Sequence, residues 1–234
     1  MSADSPVPPG AVVRLRGSRS QMVADDVYDS LTGTILRSEM PPGARVNIEA
    51  LAVKFAVSAT PVREALARLE ADGLVVREHL KGYRTRGLLT RDELEQLFQL
   101  RLLLEPHAAA AAAITATEAQ LDAVSREAAT QSEAPFGTDY DSYKEFCAHD
   151  SRLHALVLEA GGNAAITDAV CRNHFHVHAF RLGYDATSGQ ETVLEHGAIV
   201  TALLARDAPA AHEAMRTHIA NSRDRLLPRA APTP

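Results

Sequence analysis

The chain has no tryptophan, only two cysteines among 234 residues, and an aromatic content of 5%. With so few rings, any core must be built from Leu, Val, Ile and the abundant Ala, which favours helix. Cys147 and Cys171 form no CxxC pair, so no disulfide framework is expected and a reducing, cytoplasmic setting is. No run of about 18 apolar residues occurs, which argues against a membrane span. The N-terminus lacks a basic region followed by an apolar stretch, so no secretory signal is expected. No parallel-β pattern is found anywhere.

Acidic residues outnumber basic ones for a net charge of −6, but the excess is unevenly placed. Residues 1–88 hold 12 Lys/Arg against 10 Asp/Glu, and residues 89–234 hold 12 against 20. Phosphate binding depends on local positive surface rather than the whole-chain sum. The split permits a DNA-binding front and an acidic back.

Residues 1–19, rich in Pro, Gly, Ser and Arg without periodicity, are expected to form a flexible arm. Apolar residues from Met22 to Arg37 fit a helix stopped by Pro41-Pro42-Gly43. A second short helix is expected from Asn47 through Phe55. The turn Ala56-Val57-Ser58 leads into a third, with Ser58 or Thr60 as cap and Pro61 in the first turn. Val62, Ala65, Leu66 and Leu69 give that helix a buried face, and Gly73 closes it. Leu74 to Glu78 and Tyr83 to Leu88 then form a hairpin that carries Arg77, His79, Lys81, Arg84 and Arg86. Three helices followed by a basic hairpin make a winged helix-turn-helix spanning residues 20–88, whose third helix would enter a DNA major groove.

From Thr90 the pattern is helical to residue 228, giving an all-α antiparallel bundle. Thr90 to Glu93 is a capping box and Thr117 caps the next helix. Further helices are expected over Asp141 to Ala160, Ala165 to Leu182, Glu191 to Arg206 and Ala208 to Leu227. Breaks fall at 134–137 and 183–189, and residues 229–234 are expected as a disordered tail. The whole is mainly α.

Nine of the ten histidines lie in the bundle. Asp150 and His154 are four apart, so both side chains share one helix face. His196 and His218 lie on the last two helices. If those helices pack against the Asp150 helix, the four make a site for a divalent metal, with zinc first and nickel, manganese or iron as alternatives. His174, His176 and His178 form a competing cluster, and spacing alone does not choose.

These features together resemble a GntR-type transcriptional regulator of the FadR subfamily with an FCD-type C-terminal domain. The resemblance rests on Pro41-Pro42-Gly43, the run Val57 to Leu66, Leu69 to Leu74, Arg101 to Pro106, Asp150 to His154, Gly162-Asn163, Glu195-His196 and Thr217-His218. It implies a homodimer on a palindromic double-stranded operator, controlled by a small carboxylate effector bound at the metal. It assigns Ser58, Thr60 and Arg63 to DNA contact, Gly82 to the wing tip, with Lys81 and Arg84 beside it, and Asp150, His154, His196 and His218 to the metal. Arg101 is the effector-facing residue the resemblance implies; the His174, His176, His178 cluster departs from the pattern, and His178, with Asn163, is expected to join Arg101 at the effector. Ala59 departs from the pattern, since many members carry arginine there, and a bidentate guanine contact would be lost. Two other readings remain open at this point. One is a metal-dependent hydrolase with an accessory DNA-binding domain; the other is a constitutive DNA binder with a purely structural metal.

Overall fold

A computed structural model describes residues 19–131, 140–183 and 186–232. Of the arm expected over residues 1–19, Arg19 opens the first helix; the remainder, and the break at 134–137, lie outside the described residues.

The N-terminal part is built as α1 (Arg19–Leu36), β1 (Arg45–Val46), α2 (Ile48–Lys54), α3 (Ala59–Ala71), β2 (Val75–Glu78) and β3 (Gly82–Thr85). Val27, Leu31 and Ile35 of α1 meet Val62, Leu66 and Leu69 of α3 in one core, closed by Val75 and Tyr83 of the sheet. The 3.6-residue spacing of Val62, Ala65, Leu66 and Leu69 places all four inside, each at most 1% exposed. Asn47 caps α2 by accepting from the Ala50 N–H at 3.0 Å. Ser58 is the N-cap of α3 by backbone geometry but makes no side-chain cap bond. Gly73 takes φ +71°, the left-handed turn that a glycine allows cheaply after a helix.

The wing is a three-stranded antiparallel sheet in the order β1-β3-β2. The hairpin of β2 and β3 was legible as two strands; β1, only two residues long, was not. It pairs Arg45 with Arg84 and Val46 with Tyr83, which ties the loop before α2 to the wing.

The second part comprises α4 (Arg91–Thr115), α5 (Glu118–Ala129), α6 (Tyr140–Ala160), α7 (Ala164–Cys171), α8 (Phe175–Arg181), α9 (Ala186–Leu204) and α10 (Ala208–Leu226). Capping boxes at Thr90 and Thr117 start α4 and α5. Helix α4 runs through the middle of the bundle and packs against α6, α7, α9 and, most extensively, α10. Its alanines Ala109, Ala112 and Ala113 are fully buried, so neighbouring helices approach closely.

Three expectations are corrected here. The helix expected over Ala165 to Leu182 is broken into α7 and α8, because His174 adopts a left-handed φ of +49°. Asn173, whose side chain donates to the Ala169 carbonyl, helps end α7. The loop expected over 183–189 gives way to helix from Ala186. The tail is ordered through residue 232: a 3-10 turn, Leu227–Arg229, leads to Ala231. The Ala231 N–H donates to the Leu89 carbonyl and its own carbonyl accepts from the Arg91 N–H, at 3.1 and 2.9 Å. The segment entering α4 is thereby pinned by Ala231.

Candidate metal centre and DNA-reading face

Helices α6, α9 and α10 bring Asp150, His154, His196 and His218 together, with one ligand atom from each lying within 4.8 Å of all the others. His154 Nε2 faces His218 Nε2 at 3.1 Å, and His196 Nε2 faces Asp150 Oδ1 at 3.1 Å. A cation about 2.1 Å from each of four donors would set them roughly 3.4 Å apart, so the spacing fits a metal. The three imidazoles are at most 2% exposed, and His196 Nε2 is buried without a hydrogen bond.

The remaining ring nitrogens say which atoms are aimed inward. His154 Nδ1 donates to Glu105 Oε2, and Glu105 is in turn clasped by Arg101. His218 Nδ1 donates to Glu195 Oε2 at 2.9 Å, with Arg225 on the same carboxylate. His196 Nδ1 donates to His149 Nε2 at 3.3 Å, and His149 Nδ1 passes the chain to Glu127 Oε1 at 3.1 Å. Each Nδ1–H is occupied, which leaves each Nε2 lone pair pointing at the common centre. Two lone pairs 3.1 Å apart repel unless a metal ion or a shared proton lies between them. On Asp150, the second oxygen, Oδ2, accepts from His176 Nδ1 at 2.8 Å.

The electrostatics favour the ligating forms. Burial pushes His218 down to about 3 and, with His196 and His154 beside it, outweighs Glu195. Burial also lowers His154 and His149. Burial opposes the charge on Asp150, but the hydrogen bond from His176 and the closeness of His196 and His154 hold it well below the usual carboxylate range. Glu105 is likewise buried, and Arg101 and His154 keep it ionised. Neutral imidazoles and an ionised carboxylate are what a divalent cation takes.

Two cavities flank this centre. One, of about 60 Å³, reaches Asp150 and His218 and includes Tyr143, Thr192, Arg225 and Arg229. The other, of about 130 Å³, reaches His154 and His176.

The sequence-expected effector set does not assemble there. Arg101 is 2% exposed, paired with Glu105, and lies over the Phe175 ring at 3.9 Å. It lines neither cavity and serves the His154 relay instead. Asn163 is exposed and caps α7, accepting from the Ala165 and Ile166 N–H groups. His178 is buried at the junction between the two parts, where burial and the nearby Arg86 and Arg181 push it down to about 4. His176 is the member of the histidine cluster that reaches the centre. Glu105 was within reach of sequence reasoning, since Arg101 and Glu105 have the i,i+4 spacing of an ion pair. Nothing local marks His149.

On the DNA side, Ser58, Thr60 and Arg63 are exposed along the first turn and a half of α3, with Ala59 half-buried between them. Arg68 is not part of this face: it pairs with Asp25 and covers the Tyr28 ring. Lys81 and Gly82 are exposed at the wing tip. Gly82 has φ +87° and nothing within 4 Å of where a side chain would start. Arg84 sits lower and is drawn inward, donating to Glu78 and to the Gly43 carbonyl at 2.9 Å.

A winged helix-turn-helix joined to a helical bundle is the architecture of a DNA-binding protein with a second, all-α domain. Residues 23–84 match the bacterial regulatory proteins of the gntR family and residues 96–221 match the FCD domain. The chain belongs to the GntR family of bacterial transcriptional regulators and carries an FCD domain; it is a DNA-binding regulator and not an enzyme. It is 32% identical over 198 residues to an uncharacterized HTH-type transcriptional regulator of Streptomyces ambofaciens, covering 83% of this chain and 80% of that one. It is 29% identical over 201 residues to a probable D-xylose utilization operon transcriptional repressor of Paenarthrobacter nicotinovorans, covering 85% and 86%. The solved structure of E. coli McbR/YncC superposes with a TM-score of 0.66 over 87% of this chain and 96% of that one, at 17% identity, a likeness of fold.

Proposed function

We propose that this regulator is a metal-dependent sensor of a small carboxylate, acting in the cytoplasm as a homodimeric repressor on a palindromic operator. The observation that carries the reading is the convergence of His154, His196 and His218 Nε2 with Asp150 Oδ1, each imidazole tied off behind by its own hydrogen-bond partner. Such a donor set suits zinc first, and nickel, manganese or iron as alternatives. When bound, the metal supplies a Lewis-acidic position for a carboxylate oxygen. The chain's own residues do the rest. Glu105, His149 and Glu195 fix the ring orientations, and Arg225, held by Glu195, and Arg229 line the cavity on the Asp150 side. Ser58, Thr60 and Arg63 read bases, while Lys81 and Gly82 follow the backbone at the wing. Repressor action is supported by the name of the Paenarthrobacter relative.

The test is DNA affinity, measured by fluorescence anisotropy on a duplex selected from a random pool by the metal-free protein. Titrations use zinc alone and zinc with citrate. The reading expects affinity to change with zinc and citrate together. Affinity indifferent to both, in protein shown to bind zinc, leaves a purely structural metal and overturns the sensor claim.

A further inference from the structure

The motif His174-Phe175-His176-Val177-His178 is absorbed only in part by the metal centre. It folds into α8, seven residues long, and its side chains are committed to two different domains. Towards the bundle, Phe175 meets Phe98 edge-on at 5.0 Å and lies under the Arg101 guanidinium. His176 holds Asp150 Oδ2. Towards the winged domain, Val177 packs against the core formed by α1 and α3. His174 lies so close to Gly73 that a methyl on that glycine would meet its ring at 3.0 Å. Arg181 donates to the carbonyls of Arg86 and Gly87, at 2.6 and 3.2 Å, in the segment that joins β3 to α4.

We infer that α8 is the element through which occupancy of the metal centre reaches the winged domain. His176 is the grip on the centre; Val177 and Arg181 are the grip on the DNA-binding part. The inference rests on the metal-site reading above and deepens it. Asp150 offers Oδ1 to the centre and Oδ2 to His176, so a rotation of that carboxylate on ligand binding moves the His176 contact. Helix α8 is too short to absorb a displacement by bending, and it is bounded by the left-handed residue His174. Packed interfaces switch between discrete arrangements rather than deform continuously. A shift of α8 is therefore passed on at Val177, at Gly73 and at the carbonyls held by Arg181. The coupling is as large as the difference in ligand affinity between the two arrangements, and no larger. The rival route runs along α4 from Arg101 to the linker and bypasses α8.

Hydrogen–deuterium exchange on the full chain separates the two routes. Chelator-treated wild type, His176→Ala and Arg181→Gln are compared with and without saturating zinc chloride, and zinc affinity is measured for each by competition. In wild type, zinc changes exchange in α6, α9 and α10 and also in residues 73–89. In Arg181→Gln, zinc affinity and the bundle response are kept and the response of residues 73–89 is lost. His176→Ala at saturating zinc loses the same response. The inference is overturned if Arg181→Gln keeps the wild-type response in residues 73–89, or if that response is absent from the wild type with zinc bound. A wild type that binds no zinc overturns the metal-site reading, and α8 coupling with it.

Discussion

His149 Nε2 accepts a hydrogen bond from His196 Nδ1 at 3.3 Å, although neither residue has any significant exposure to solvent. One imidazole is thereby oriented by another, which is itself oriented by Glu127. Removing His149 leaves His196 free to turn its ring. His149→Ala is expected to weaken zinc binding by roughly 10- to 100-fold, the usual cost of losing an outer-shell partner. Competition with a chromogenic chelator measures it. Wild-type zinc affinity in that variant would show that the relay does not position the ligand.

Acid is expected to destabilise the metal-free protein by a defined route. In the unfolded chain His218 takes up a proton as pH falls below about 6.5, whereas burial holds it neutral in the fold down to about 3. The unfolded state binds more protons across that window, so stability falls as pH drops through it. Glu195 adds a loss of the same sign: burial opposes its charge, but Arg225, His218 and Asn221 bring it to about 2, and its stabilising contribution disappears between about 4.5 and that value. The melting temperature of chelator-treated protein should decline from about pH 7 towards about pH 4, and His218→Gln should flatten the upper part of the decline. A profile that is flat through the window in wild type contradicts the buried, neutral state of His218.

Ala59→Arg is expected to change which operator is chosen. The site is half-buried on the first turn of α3, between exposed Ser58 and Thr60. A guanidinium there can reach guanine O6 and N7, a contact worth about 1–3 kcal/mol of base discrimination. Selection from a random duplex pool should give the variant a site richer in guanine at one position per half-site, with zinc affinity unchanged. The same consensus for both proteins would mean that α3 does not meet the bases with this turn.

Leu66→Ala tests the packing that presents that helix. Leu66 is 1% exposed in the core shared by α1, α3 and the wing. Its truncation should cost about 2–5 kcal/mol, read by urea denaturation of the winged domain's signal. A cost under about 1 kcal/mol would mean the core is not closed around it.

Much of this was legible in the sequence where the signal is local. The turn and period around Val57 to Leu69 marked α3, and the spacing of Asp150 and His154 marked half of the candidate metal site. His196 and His218 sit on other helices, so joining them to the first pair depended on an assumed packing that the resemblance supported. Their outer partners His149 and Glu195, and the role of His176, depend on how helices rotate against one another, which periodicity does not encode. The break at His174 escaped because Arg172-Asn173-His174 contains neither glycine nor proline, and the left-handed turn falls on a histidine. The docking of Ala231 on Leu89 and Arg91 is made by backbone groups alone and leaves no mark on side-chain pattern. Asn163 and His178, expected to face the effector, lie away from the four-residue centre: Asn163 caps α7, and His178 is buried beside Arg86 and Arg181.

The claim on which the rest depends is that Asp150, His154, His196 and His218 hold one metal ion. Protein stripped with chelator, reloaded with zinc and desalted should carry one zinc per chain by inductively coupled plasma mass spectrometry. The double variant His196→Ala/His218→Ala, confirmed as folded by circular dichroism, should carry none. Equal zinc in both proteins, or none in either, would contradict the account.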